Sequence, residues 1–275
     1  MALSSISKRL NNSLDTPFGK VIKISATNIH ISGLHPSIGD IIKIKSLENP
    51  NRVELSMVTE LKSDHFIVSP FRYVEGLKIG DHAYIGNEGL SIGLSDDILG
   101  RVVDPFMNPK DGKAPIASKK RMPIIKTPID AMKRGMIDKV FSTGVKSIDG
   151  LLTCGEGQKL GIFAGSGVGK STLMGMIVRG SQAPVKVVAL IGERGREIPE
   201  FIHKNLGGDL TDTVIVVATS DDSPLMRKYG AFSAMAVAEY FKEQGRDVLF
   251  IMDSVTRFAM AQREIGLALG EPPTS

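Results

Sequence analysis

The sequence predicts an α/β chain: a parallel sheet wrapped by helices, preceded by a small antiparallel β-barrel. Three observations carry this. Short alternating apolar runs fill residues 19–89, broken by turn residues. Further on, compact runs rich in Val and Ile at 159–164, 185–191, 213–219 and 247–252 alternate with helix-like segments at 171–179, 198–205 and 225–244. Between the first of these runs and its helix stands a glycine-rich loop ending in Lys170 and Ser171.

In chain order, residues 1–15 come first. Leu3, Ile6, Leu10 and Leu14 recur at helical spacing, with Lys8, Arg9, Asn11 and Asn12 between them, the pattern of a short amphipathic helix. Alone, such a helix is marginal in water, and the competing reading is a frayed tail. A partner that buries the leucine stripe would shift the balance. The segment lacks the apolar stretch and cleavage site of a secretory signal.

The barrel region spans 16–89. Its strand-like runs are Val21-Ile22-Lys23-Ile24, Asn28-Ile29-His30-Ile31, Ile41-Ile42-Lys43-Ile44-Lys45, Arg52-Val53-Glu54-Leu55 and His65-Phe66-Ile67-Val68, separated by Gly33, Pro36, Gly39-Asp40, Asn49-Pro50 and Gly80-Asp81. Many short strands at close spacing make a small antiparallel barrel. Its aromatics, Phe66, Phe71, Tyr73 and Tyr84, are not interleaved with Arg or Lys along the sequence, so a structural or assembly role is expected rather than nucleic-acid binding.

Residues 90–128, rich in Gly, Pro, Asp and Lys, read as a connector. From 129 to 275 strands and helices alternate, which means parallel strands joined by right-handed crossovers. In such sheets ligands sit at the carboxyl ends of the strands.

Composition narrows the classes. At 275 residues the chain fits one large and one smaller domain, with 42% apolar residues and a formal charge of +4. No run approaches the roughly 20 apolar residues that span a bilayer. Cys154 is the single cysteine, which suits a reducing cytosol, and reads as a small buried hydrophobe. Five scattered histidines, His30, His35, His65, His82 and His203, offer no transition-metal ligand set.

The candidate chemistry stands at the strand ends. Gly165, Ser166, Gly167, Val168 and Gly169 form a loop whose glycines let backbone N–H groups face phosphate oxygens. The helix that follows presents its positive end to the same anion. Lys170 would reach the β- and γ-phosphates of ATP, the Ser171 hydroxyl would ligate Mg²⁺, and Thr172 completes the loop. The strict P-loop pattern has Gly where this chain has Ala164. Past the second strand, Glu193 is the candidate catalytic carboxylate, polarising the attacking water, a role typically worth ~10²–10⁴ in rate. Arg194 would steady phosphate charge beside it, while Arg196 and Glu197 read as a solvated cluster. The fourth strand ends on Asp253, a candidate Mg²⁺ ligand. Asp221-Asp222-Ser223-Pro224 reads as a helix N-cap.

These segments carry a family resemblance. Leu99-Gly100-Arg101-Val102-Val103-Asp104, Ser142-Thr143-Gly144-Val145-Lys146-Ser147-Ile148-Asp149, the P-loop, 192–197 and 253–258 stand in the order seen in rotary ATP synthase catalytic subunits and their secretion relatives. Within that group, 164–171 and 192–201 resemble the flagellum-specific export ATPases of the type III secretion ATPase family. ATP synthase subunits usually have Thr where this chain has Gly195, and injectisome ATPases usually differ after Ile198.

The resemblance implies a RecA-like core after the barrel, then a C-terminal helical domain, in a cytoplasmic homo-hexamer with sites between subunits. It implies roles for Lys170, Ser171, Glu193, Arg194 and Asp253 as above, and adds Arg257 as a residue lining the site. Residues 1–15 match the part that binds a regulatory, stator-like partner. A stalk-like component, an export gate at the inner membrane and chaperone–cargo complexes are the other implied partners.

The chain departs from the family by stopping at Ser275, just past the fourth-strand helix. An incomplete core with an open sheet edge is therefore expected. So is slow hydrolysis, since a neighbour's arginine can be worth ~10³–10⁵ in turnover. The main expectation is thus Mg-ATP hydrolysis driving flagellar protein export. The alternatives are an injectisome ATPase, a RecA-like nucleic-acid motor, and a non-catalytic nucleotide-binding subunit, which usually lacks the carboxylate that Glu193 supplies.

Overall fold

A computed structural model describes residues 17–273, apart from 26, 50, 87, 88 and 166. The 1–15 segment thus lies outside the described residues. The chain divides into two compact units: 1–90 with 222–226 and 261–275, and 91–221 with 227–260.

The first unit is built on a closed barrel of six antiparallel strands. They are β1 (Gly19–Ile24), β2 (Ile29–Ser32), β3 (Ile41–Lys45), β4 (Val53–Leu61), β5 (Phe66–Pro70) and β6 (His82–Ile85), in the order β1-β2-β5-β4-β3-β6 with β6 returning to β1. Alternation explains it. Ile42 and Ile44 face inward and are fully buried, while Lys43 and Lys45 face water. Val21, Ile29, Ile31, Val58, Phe66, Val68 and Ala83 complete the interior. Irregularities between Val21 and Lys23, and between Val58 and Glu60, bend β1 and β4 enough for closure.

Five of these strands follow the sequence alternation. β4 extends to Leu61, well past Leu55, and β6 is an addition. Pairing across β3 and β6 also sets Lys43 opposite Tyr84 and holds the Lys45 ammonium 5.1 Å from the Tyr84 ring centre. Cations and an aromatic that are unrelated along the sequence are neighbours in space.

The second unit contains a parallel sheet. Its strands are β8 (Val102–Val103), β10 (Val185–Glu193), β11 (Thr213–Thr219) and β12 (Val248–Asp253), in the order β12-β10-β11-β8. β10 is central and buried from Val185 through Gly192; its side chains there are apolar apart from Lys186, whose ammonium is paired with Asp212. On one face, Met174 and Val178 of the Lys170–Gly180 helix join Ile198, Phe201 and Leu206 over Val188, Leu190, Ile215 and Val217. The Pro224–Lys242 helix approaches closely at Gly230, where a Cβ would meet Ile191, Ala218 and Pro105 at 3.0–3.3 Å. Residues 91–128 carry β7 (Ser91–Leu94) and β9 (Lys120–Pro123), which pair with each other, as well as β8.

Two segments, 99–104 and 142–149, are each built around an acidic side chain. Asp104, 2% exposed, accepts hydrogen bonds from the amides of Phe106 and Asn108 and from Asn108 Nδ2, closing a tight turn. Asp149 accepts from Ser142 Oγ, Thr143 N, Thr143 Oγ1 and Gly144 N at 2.7–2.9 Å.

One expected strand is missing. Residues 159–164 are irregular and exposed, with Phe163 97% accessible. Composition favours a strand there, but no described strand runs beside it, and extended backbone needs a partner to become sheet. The sheet ends at β12, whose outer edge has no neighbour among the described residues. Among the described residues no helix is long and apolar enough to cross a membrane.

Candidate active site

The site lies at the carboxyl ends of the parallel strands. The Lys170–Gly180 helix begins immediately after Gly169, which adopts φ +97°, with Gly167 at φ +77°. Both values lie in the left-handed region that glycine tolerates best. No side chain caps this helix, so its first N–H groups remain available to an anion.

Four stretches of chain converge on one cleft of about 840 Å³. Gly165, Gly167, Gly169, Lys170, Ser171 and Thr172 form the loop side. Glu193, Asp253 and Arg257 face it, while Leu190, Ile198 and Phe201 supply an apolar wall. Of the other sequence candidates, Ser166 lies outside the described residues. Val168 is 69% exposed and off the cleft lining. Arg194 also lies off the lining, with Nη1 3.4 Å from Glu197 Oε1 on an exposed surface.

Strand register explains why the carboxylates meet. Leu190 of β10 pairs with Asp253 at the end of β12, so Glu193 emerges just beyond the same edge. The pairing with β11 is irregular between Ile191 and Glu193, where Gly192 takes φ +73°. A Cβ on Gly192 would lie 2.6 Å from Arg257 Cβ. Glycine therefore allows the start of the Val255–Ala268 helix to close on β10 and bring Arg257 to the cleft.

The electrostatics are those of a crowded charge cluster. Lys170 Nζ is ion-paired with Asp253 Oδ1. Asp253 is only 5% exposed, so this pair is substantially withdrawn from water. Burial pushes the Glu193 carboxyl above the ordinary carboxylate range. The nearby Asp253 charge adds to this rise, Lys170 opposes it, and Glu197 contributes a smaller upward push.

Sequence reasoning missed Glu200, Lys204 and Asn205, which also line the cleft. They reach it because the Glu197–Glu200 helix runs into a wider π-helical turn, Phe201–Asn205. Glu200 and Lys204 form an ion pair of 2.7 Å, four residues apart. That spacing is visible in the sequence, but the widened turn that aims it is not.

The donors facing the loop are hard oxygen atoms: the Ser171 hydroxyl and the Asp253 and Glu193 carboxylates. Mg²⁺ prefers such a set, taking one or two protein oxygens and completing its shell with phosphates and water. The residues present fit that ion.

Known proteins resemble this chain in sequence and in fold. The profile of the ATP synthase alpha/beta family, nucleotide-binding domain, matches residues 144–275. A flagellum-specific ATP synthase of Helicobacter pylori (strain ATCC 700392 / 26695) is 60% identical over 277 residues, covering 100% of this chain and 63% of the relative. A type 3 secretion system ATPase of Xanthomonas euvesicatoria is 43% identical, covering 94% of this chain and 58% of the relative. The assembled ATPase EscN of the enteropathogenic E. coli type III secretion system superposes with a TM-score of 0.83 at 42% identity, over 93% of this chain and 61% of EscN. EscN in complex with its central stalk EscO gives a TM-score of 0.85. The chain thus spans under two thirds of the length of these relatives. Residues 144–275 match the nucleotide-binding domain of the ATP synthase alpha/beta family, and the chain as a whole is similar in sequence and fold to flagellum-specific ATP synthases and type III secretion ATPases.

Proposed function

We propose that this chain forms the nucleotide-binding part of an ATPase that hydrolyses Mg-ATP to drive flagellar type III protein export. The observation that carries the reading is the meeting of Lys170, Ser171, Glu193, Asp253 and Arg257 in one cleft beside a glycine-rich loop. Lys170 and Arg257 balance phosphate charge, together with the uncapped helix N-terminus. Glu193, lifted by burial, is a better proton acceptor for water than an ordinary exposed carboxylate would be. Ser171 and Asp253 would hold Mg²⁺, which when bound polarises the phosphate oxygens. Arg194 would have to leave Glu197 before it could contact the γ-phosphate, a small cost for an exposed pair.

The flagellar assignment, over an injectisome one, leans on the 60% identity to the Helicobacter relative. A homo-hexamer with a stalk component is proposed by similarity to assembled EscN and its complex with EscO. The same reading includes a regulatory partner at residues 1–15, an export gate, chaperone–cargo complexes and a site of action on the cytoplasmic face of the inner membrane. No nucleic-acid partner is proposed.

Calorimetric titration of the intact protein with Mg-ATP tests the reading. Lys170→Ala should abolish measurable binding. Unchanged affinity in that variant would overturn the assignment of the cleft.

A further inference from the structure

We infer that the outer face of the barrel over β1, β6 and β3 is a docking site for an extended, acidic peptide segment of a partner protein. All of the residues involved belong to the first unit, so the site stands independently of the nucleotide reading of the cleft. Strand register aligns two rows of side chains on this face. In one, Lys20 of β1 stands opposite His82 of β6, His82 opposite Lys45 of β3, and Lys45 opposite Val53 of β4. In the other, Tyr84 stands opposite Lys43, with the Phe18 ring centre 6.3 Å from that of Tyr84. Neither row contains a carboxylate.

Residues 16–89 hold equal numbers of basic and acidic side chains, so this region carries no net charge. Its charges are nevertheless segregated. Glu48, Glu54 and Glu60 are paired with Lys78, Arg52 and Lys62, outside the two rows. Lys20, Lys43 and Lys45 are exposed and have no ion pair among the described residues. Like charges gathered on one face repel one another, and a ligand bearing carboxylates relieves that repulsion.

The barrel is closed, so no strand edge is open to an added strand, and recognition must run through side chains. Lys43 and Lys45, two residues apart on one strand, stand about 6.8 Å apart, the spacing of alternate side chains in an extended peptide. Phe18 and Val53, each 43% exposed, flank the cations and can receive the apolar residues between the carboxylates. The rings themselves are engaged. Lys45 Nζ lies 5.1 Å from the Tyr84 ring centre, and the Phe18 and His82 ring centres are 4.1 Å apart. That favours carboxylates, which need only the ammonium groups, over nucleobases, which stack on a free ring. A membrane surface would call for one apolar cluster, whereas Phe18 and Val53 stand at opposite ends of the strip.

Fluorescence anisotropy with the intact protein tests this, using a labelled nine-residue peptide of alternating Glu and Val as the probe. The parent should bind the peptide saturably. The double variant Lys43→Gln, Lys45→Gln should bind it at least about tenfold more weakly. A control pair, Lys62→Gln with Lys78→Gln, removes as much charge from the same barrel outside the two rows and should change affinity by less than about twofold. All four lysines are exposed, so neither pair of substitutions disturbs the barrel core. Equal losses in the two pairs, or no saturable binding by the parent, overturns the docking site. Tighter binding of oligothymidylate or of phosphatidylserine vesicles than of the peptide, lost in the same Lys43→Gln, Lys45→Gln variant, overturns the assignment of the partner as a peptide.

Discussion

Gly144 and Gly180 meet backbone to backbone: a Cβ on Gly144 would lie 2.4 Å from the Gly180 Cα. Gly144 also takes φ +73°, and it begins the turn closed by Asp149. The stretch from Ser142 to Asp149 is therefore a structural clasp on the end of the Lys170–Gly180 helix.

Gly144→Ala should accordingly destabilise the second unit by about 2 kcal/mol or more, combining left-handed strain with a backbone clash. Denaturant unfolding measures this. A midpoint equal to that of the parent would show that the clasp yields without cost.

Gly192→Ala addresses the active cleft by the same logic. The added methyl would lie 2.6 Å from Arg257 Cβ, so β10 and the helix that carries Arg257 must separate. Nucleotide turnover by the intact protein should fall by about tenfold or more, since small misplacements of catalytic groups are costly. Turnover within twofold of the parent would mean that Arg257 does not need this approach.

In the barrel, His30 Nδ1 and His65 Nε2 lie 3.1 Å apart, and His65 Nδ1 lies 2.8 Å from Asp64 Oδ1. Burial lowers the His30 pKa, and the His65, Lys23 and Lys62 charges lower it further, with Glu60 opposing. A folded-state value below the unfolded one means that His30 contributes stability above about pH 6.5, the ordinary histidine value. That contribution is lost as pH falls through the depressed folded-state value. An NMR titration should place the His30 midpoint below that of an exposed histidine. A midpoint at or above the ordinary value would contradict the packing described.

Much of the site was legible because its residues are tied to local grammar. A strand, a glycine loop and a helix start locate Lys170 and Ser171. Glu193 and Asp253 are found because strand ends in a parallel sheet face one edge, and the Leu190–Asp253 register bears that out. Arg194 pairs with Glu197 rather than lining the cleft, and one position past a strand end does not say which way a side chain turns. The Lys43–Tyr84 pairing was invisible for a similar reason, since it depends on the register of β3 against β6. β7, β8 and β9 escaped because two to four residues, some of them Lys, Arg or Pro, carry no readable period. The run 159–164 erred the other way: Val-and-Ile grammar describes a willing strand, but pairing makes one.

The central claim is that Glu193 turns a phosphate-binding cleft into a hydrolytic one, and Glu193→Gln in the intact protein tests it most directly. The substitution keeps the size of the side chain and removes its capacity to accept a proton. Steady-state ATPase turnover should fall by ~10²-fold or more, while Mg-ATP affinity stays within a few-fold of the parent. Full turnover in that variant would contradict the account and leave the cleft a binding site only.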